Sequence, residues 1–215
     1  MDGNRRWAKA EHKPALFGHR AGLDTAHTIV DGAFSEGVEF VTLYALSTEN
    51  LKRSAEEVAH LFGLIEVAFD TWLDEFIEEG GRVRFIGDRA LLPERVVQKI
   101  EAGEEKSRMG TKGTLVVALS YGGRAEIVSA VNALMIEDRE QISEDDLRNA
   151  LWSKDIPDPD LIIRTGGDQR LSNFLTWQSV YSELMFTKTL WPAYSIEEFK
   201  THLQNYAERK RNFGV

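Results

Sequence analysis

The sequence predicts an α/β fold, a central and mostly parallel sheet flanked by helices. Three observations point there. Short runs rich in β-branched and aromatic residues alternate with longer stretches of helical periodicity. Two of the helical stretches open on capping patterns, Ser54-x-x-Glu57 and Ser195-x-x-Glu198. The alternation runs the length of the chain, which calls for crossover connections and hence parallel strands. The 215 residues fit one domain, residues 1–215.

Taken in order, residues 22–36 read as the first helix and VEFVTLYAL, residues 38–46, as the first buried strand. Residues 54–79 form the longest helical pattern, followed by a strand at 82–87 (RVRFIG) and a helix at 93–106. A strand at 114–119 (TLVVAL) leads to helices at 124–136 and 143–152. LIIR at 161–164 and residues 183–186 complete the strands, and the last helix begins after Pro192. Asp2 has the character of a loop residue that follows a strand, yet no strand precedes it. Either the natural chain begins earlier or the sheet lacks an expected strand.

Bulk properties exclude several functions. A net charge of -9 gives no broad basic field, so nucleic acid is not an expected partner. The absence of cysteine excludes disulfides, thiolate catalysis and cysteine-based zinc sites. No apolar run reaches the ~18 residues of a membrane span, and the N-terminus lacks an apolar signal segment. A cytoplasmic protein is expected, touching a membrane only at its surface.

In parallel sheets, ligands bind beyond the C-terminal ends of the strands. Four loops carry chemistry. Asp2-Gly3-Asn4-Arg5-Arg6-Trp7 combines a carboxylate able to hold Mg2+ with guanidinium forks suited to phosphate. Taken alone it equally describes a frayed polar terminus. Ser47-Thr48-Glu49-Asn50-Leu51-Lys52-Arg53 follows the first strand with hydroxyls, a carboxylate, an amide and an arginine. Tyr121-Gly122-Gly123-Arg124 is either an anion-binding turn or a tight strand-to-helix connection. Arg164 to Asn173 sets two arginines and a serine around a Gly-Gly turn, a chemically suitable diphosphate cradle. Glu183, among apolar and aromatic neighbours, is a structural carboxylate or a partner for Asp2 at a metal. The signatures GxxxxGK[ST], GxGxxG and HExxH are absent.

Together the blocks MDGNRRWA, FGHRAG, YALSTEN, LKRS, IGD, SYGGR, RTGGDQRLSNFL, WQ, SEL and LWP resemble the cis-prenyltransferases, in that family's order and across nearly the whole chain. The resemblance implies a dimeric enzyme with a hydrophobic tunnel. It would condense isopentenyl diphosphate onto an allylic diphosphate such as farnesyl or geranyl diphosphate, with Mg2+ and a cis double bond. Asp2 matches the essential aspartate that handles Mg2+ and the allylic diphosphate. Gly3, Asn4, Arg5, Arg6, Trp7 and His19 match the surroundings of that diphosphate. Ser47, Thr48, Glu49, Leu51 and Arg53 fall in the next substrate loop, and Asn50 matches an asparagine that helps remove the proton. Arg164, Arg170, Leu171 and Ser172 fall in the isopentenyl diphosphate loop. Glu183 matches the second Mg2+ ligand.

Departures bear on substrate preference and turnover. Ala15 stands where many members have arginine, and Lys13 is the residue expected to compensate. Leu51, Ser120 and Gln169 replace a common tryptophan, asparagine and histidine. The ending Arg-Asn-Phe-Gly only partly resembles the family's C-terminal motif. Small residues at Ala45 and Gly113 favour a medium or long product. Two other readings compete: a non-catalytic subunit or binding module on the same fold, and a Mg2+-dependent phosphatase with Asp2 as nucleophile. The latter would need a second acid close in sequence, which is lacking.

Overall fold

The computed structural model describes residues 1–136 and 141–209. The Arg-Asn-Phe-Gly ending lies outside the described residues. Among the described residues, five strands form two parallel sheets. β1 (Phe40–Ser47), β2 (Arg82–Ile86) and β3 (Thr114–Tyr121) pair in the order β1-β3-β2, and β4 (Leu161–Arg164) pairs with β5 (Glu183–Phe186). β3 is buried along all its residues, as its unbroken apolar run requires of a strand covered on both faces.

The strand's period-2 alternation divides the core. Leu115, Val117 and Leu119 face one cluster with Leu43, Val83 and Phe85. Val116, Ala118 and Tyr121 face the other with Ile86, Ile156 and Leu175. The alternation slips by one between Leu119 and Tyr121, where Ser120 adopts φ 48 and the β1–β3 register shifts. Each fully buried aliphatic side chain contributes roughly 1.5–3 kcal/mol. The two faces therefore fix the sheet between its helical layers.

The helices are α1 (Asn4–Ala10), α2 (Ala15–Ser35), α3 (Ala55–Ala68), α4 (Asp74–Glu78), α5 (Glu94–Lys106), α6 (Gly123–Ile136), α7 (Glu144–Ala150) and α8 (Ile196–Ala207). α1 corrects the expectation of a loop there. α2 begins seven residues earlier than the pattern suggested. The long helix expected at 54–79 is interrupted by a π-helical turn at Phe69–Leu73, where Thr71 has φ -128 and ψ -109 and its hydroxyl donates to the Val67 carbonyl at 2.7 Å. An inserted side-chain bond of this kind is a recognised cause of a break in the helical ladder.

The apolar seam between α2 and α3–α4 is filled. His27 stacks on Trp72 with centroids 5.3 Å apart, and Phe34 stacks on Phe76 at 5.2 Å. A Cβ at Gly113 would lie 2.4 Å from the Phe34 ring. The room that Gly113 was expected to leave for a product chain is thus occupied by Phe34. Phe62, Phe69, Trp72 and Phe76 are all buried, so aromatic side chains line the seam where the tunnel was expected.

On the other face, Glu126 is fully buried and accepts hydrogen bonds from Tyr121 Oη (2.6 Å), Ser153 N (3.0 Å), Ser153 Oγ (2.8 Å) and Gln178 Nε2 (2.9 Å). This network joins α6 to the end of β3, to Ser153 ahead of β4 and to Gln178 beyond it.

Candidate active site

The N-terminal segment is held by the end of β4. Asp2 N donates to Thr165 Oγ1 at 2.9 Å, and that hydroxyl donates back to the Asp2 carbonyl at 2.9 Å. Trp191 N donates to the same carbonyl at 2.9 Å. Three long-range hydrogen bonds thereby position an aspartate that the sequence alone left without support.

The Asp2 carboxylate lies between two guanidinium groups. Arg164 Nη2 donates to Oδ2 at 3.0 Å, and Arg6 Nη2 is 3.2 Å from Oδ1. Partial burial pushes the Asp2 carboxyl up, but the hydrogen bonds and charges of Arg164 and Arg6 outweigh it and hold it below the ordinary carboxylate value. Neutral acceptors aim both arginines: Gly166 O takes Arg6 Nη1 at 2.7 Å, and Ser172 Oγ and the Arg170 carbonyl take Arg164 Nη1. Gly166 makes this possible. Its φ is +89, and a Cβ there would stand 2.6 Å from Arg6 Nη2.

Beside this pair opens a cavity of about 400 Å³, lined by Met1, Asp2, Gly3, Asn4, Arg5, Arg6, His19, Tyr44, Ala45, Asn50, Arg53 and Leu61. Its lining combines the cationic groups of Arg5, Arg6 and Arg53 with the apolar side chains of Met1, Ala45 and Leu61. Three buried polar atoms of this region make no hydrogen bond within the protein: Asn4 Oδ1, His19 Nε2 and Arg164 Nε. Burial keeps the His19 imidazole below its ordinary pKa, helped by the Arg53 charge and opposed by Glu57, whose carboxylate is 3.6 Å away. Asn50 closes a capping box with Ser47, Asn50 N donating to Ser47 Oγ and Ser47 N to Asn50 Oδ1, both at 3.2 Å. The carbonyl end of the amide is therefore engaged. A neighbouring cleft of about 450 Å³ is lined by Arg5, Arg6, Lys9, His12, Lys13 and Ala15, with the Lys13 ammonium 5.5 Å from the centre of the Trp7 ring. Lys13 and Ala15 thus share a basic cleft adjoining the cavity.

Comparison with known proteins gives one family. The undecaprenyl diphosphate synthase family model matches residues 1–214. The chain belongs to the undecaprenyl diphosphate synthase family. An isoprenyl transferase of Thermotoga maritima is 41% identical over 218 residues, covering 100% of this chain and 94% of that protein. A ditrans,polycis-undecaprenyl-diphosphate synthase, (2E,6E)-farnesyl-diphosphate specific, of Xanthomonas campestris pv. campestris is 41% identical over 100% of this chain and 86% of its own. The crystal structure of lavandulyl diphosphate synthase from Lavandula x intermedia, in complex with dimethylallyl diphosphate, has a TM-score of 0.95. It has 31% identity and covers 100% of this chain and 95% of that one.

In this family member, Asp2, Gly3, Asn4, Arg5, Arg6, His19, Asn50 and Arg53 surround one cavity. Arg164, Arg170 and Ser172 join it through the guanidinium on Asp2, and Leu171 is half-buried in the same loop. Thr48 and Glu49 lie at the neighbouring strand ends: Asn173 Nδ2 donates to Glu49 Oε1 at 3.0 Å, and Thr48 Oγ1 would stand 2.9 Å from a Cβ at Gly122. Leu51 packs against the main core, and Trp7 lies under Lys13. Sequence reasoning missed Thr165, Asp168 and Asn173 as site residues. Asn173 also binds Gly123 N and Arg124 N, at 2.7 and 2.9 Å, so it ties three strand-end loops together. Its place in the Arg164–Asn173 loop was visible, but its partners 49 and more residues away were not.

Glu183 begins β5 opposite Leu161, three residues back along the ladder from Arg164, or about 10 Å at the usual strand rise. Its carboxylate pairs with Arg209. Among the described residues, no three His, Cys, Asp or Glu side chains gather as a metal cluster. The accessible Asp2 carboxylate nonetheless fits Mg2+, which is commonly held by one or two carboxylates together with substrate phosphates. No helix among the described residues is long and apolar enough to cross a membrane.

Proposed function

We propose that this chain is a polyprenyl diphosphate synthase. It condenses isopentenyl diphosphate onto an allylic diphosphate, geranyl or farnesyl, and forms a cis double bond. One observation carries the reading. Two sets of cationic and hydrogen-bonding groups meet at Asp2 beside the apolar lining residues Ala45 and Leu61: Arg5, Arg6, His19 and Arg53 around the cavity, and Arg164, Arg170 and Ser172 on the β4 loop. Two diphosphate esters held side by side would place their hydrocarbon parts together and convert a bimolecular encounter into a local one.

The first set would hold the allylic diphosphate while its C–O bond breaks, since guanidinium groups stabilise the charge gathering on the leaving oxygens. Tyr44, Ala45 and Leu61 would keep water from the allylic carbon. The double bond of isopentenyl diphosphate then forms the new C–C bond, and one proton leaves to fix the alkene. Asn50 would orient the reacting end through its amide N–H groups. Mg2+, held by Asp2 with diphosphate oxygens, would neutralise charge on the leaving group.

A medium to long product, such as undecaprenyl diphosphate, would need the α2–α3 seam to part, because about 400 Å³ is at the small end for ligand sites. The π-helical turn at Phe69–Leu73 is a place where α3 and α4 could move apart. The same reading includes a homodimer and peripheral membrane contact for product release. The exposed apolar residues Val180, Tyr181 and Leu184 at β5 support the dimer. The test is incubation with labelled isopentenyl diphosphate and either geranyl or farnesyl diphosphate, with and without Mg2+, and chromatography of the products. Polyprenyl diphosphate formed only with Mg2+ supports the reading. No product from any primer sinks it and favours a non-catalytic module on this fold.

A further inference from the structure

Asp168 stands among the arginines of the strand-end loop, yet it does not aim most of them. Its Oδ2 is 3.7 Å from Arg164 Nη2 and 3.8 Å from Arg6 Nη2, and its Oδ1 is 3.1 Å from Arg170 Nη1. The first two separations exceed hydrogen-bond range. Arg164 and Arg6 are already aimed by neutral acceptors, Ser172 Oγ, the Arg170 carbonyl and Gly166 O, and by Asp2. Asp168 therefore adds negative charge where it adds little geometry. It also faces three guanidinium groups at once, as a phosphate group would.

We propose that Asp168 is an internal counter-anion, occupying the arginine set in the resting protein and displaced when a diphosphate binds. The inference rests on the diphosphate reading of the site and deepens it. Two consequences follow from the arrangement. Before substrate arrives, the carboxylate limits repulsion among three like charges, which keeps them gathered. When diphosphate is bound, the same carboxylate opposes it, which weakens the hold on inorganic diphosphate and hastens its release. The contacts suit displacement: Asp168 follows Gly166 and Gly167, both at positive φ, and its side chain is about a third exposed.

The test is calorimetric binding of inorganic diphosphate, without metal and at low ionic strength, to the full chain and to Asp168→Asn. The amide keeps the shape and removes the charge. Asp168→Asn should bind inorganic diphosphate about threefold more tightly or better, in line with a partly exposed charge interaction, and the difference should shrink with added salt. In turnover, diphosphate should inhibit this variant more strongly than the parent. Equal or weaker binding by Asp168→Asn overturns the proposal and makes Asp168 a residue that positions Arg170. If inorganic diphosphate binds neither protein, while both give the same folded spectrum, the diphosphate reading itself fails and the proposal with it.

Discussion

Arg164 donates to the carboxylate of Asp2 at 3.0 Å across 162 residues of sequence. This bond joins the end of β4 to the first residues of the chain, and with Arg6 it depresses the Asp2 pKa against the opposing effect of burial. A carboxyl held below its unfolded value of 3.8 contributes stability that is present above that pH and lost as pH falls through the folded value. Asp2→Asn removes this titration. The parent should therefore be more stable than Asp2→Asn near neutrality, with the gap closing as pH falls through and below 3.8. Urea midpoints measured across that range check it, and a gap independent of pH would speak against the ion pair.

Glu126 is the acceptor for four hydrogen bonds with no water access. Glu126→Leu leaves the Tyr121 hydroxyl and the Ser153 donors buried without their acceptor, while Gln178 Nε2 keeps its bond to Ser153 Oγ at 2.5 Å. The expected loss is roughly 3 kcal/mol, mostly from unsatisfied groups rather than from lost packing. Chemical denaturation of the two proteins measures it. A change within about 0.5 kcal/mol, typical of surface substitutions, would mean the network contributes nothing.

The aromatic seam between α2 and α3–α4 makes a prediction about product length. Trp72 fills it against His27, and Phe34 fills the space over Gly113. Trp72→Ala should shift the product distribution toward longer chains with the same primer, at a stability cost of about 3–5 kcal/mol. Phe34→Leu is the milder companion. Chromatography of products from both variants decides the matter, and distributions identical to the parent would place the growing chain elsewhere.

Much of the fold was legible in the sequence. LIIR and residues 183–186 read as strands because each is a short apolar run between turn-forming segments, and the structure places β4 and β5 there. The start of α2 was not legible. Gly18 and Gly22 lower helix propensity, but they let α1 approach: a Cβ at Gly18 would stand 2.0 Å from the Asn4 carbonyl. The π-helical turn was hidden because Phe69, Trp72, Leu73 and Phe76 keep an apolar face through it. At the site, residue types pointed to diphosphate chemistry, but the anchoring of Asp2 by Thr165 depends on a contact between chain positions 163 apart. No local pattern encodes such a contact. The place of Glu183 along its ladder is likewise set by strand register, which puts it opposite Leu161.

The central claim is that Asp2, set among Arg6 and Arg164, serves prenyl transfer. Its most direct test is turnover of labelled isopentenyl diphosphate by Asp2→Ala, with farnesyl diphosphate and Mg2+, beside a circular dichroism spectrum of the same sample. The account predicts a fall of about a thousandfold or more with an unchanged spectrum. Turnover near that of the parent would contradict it.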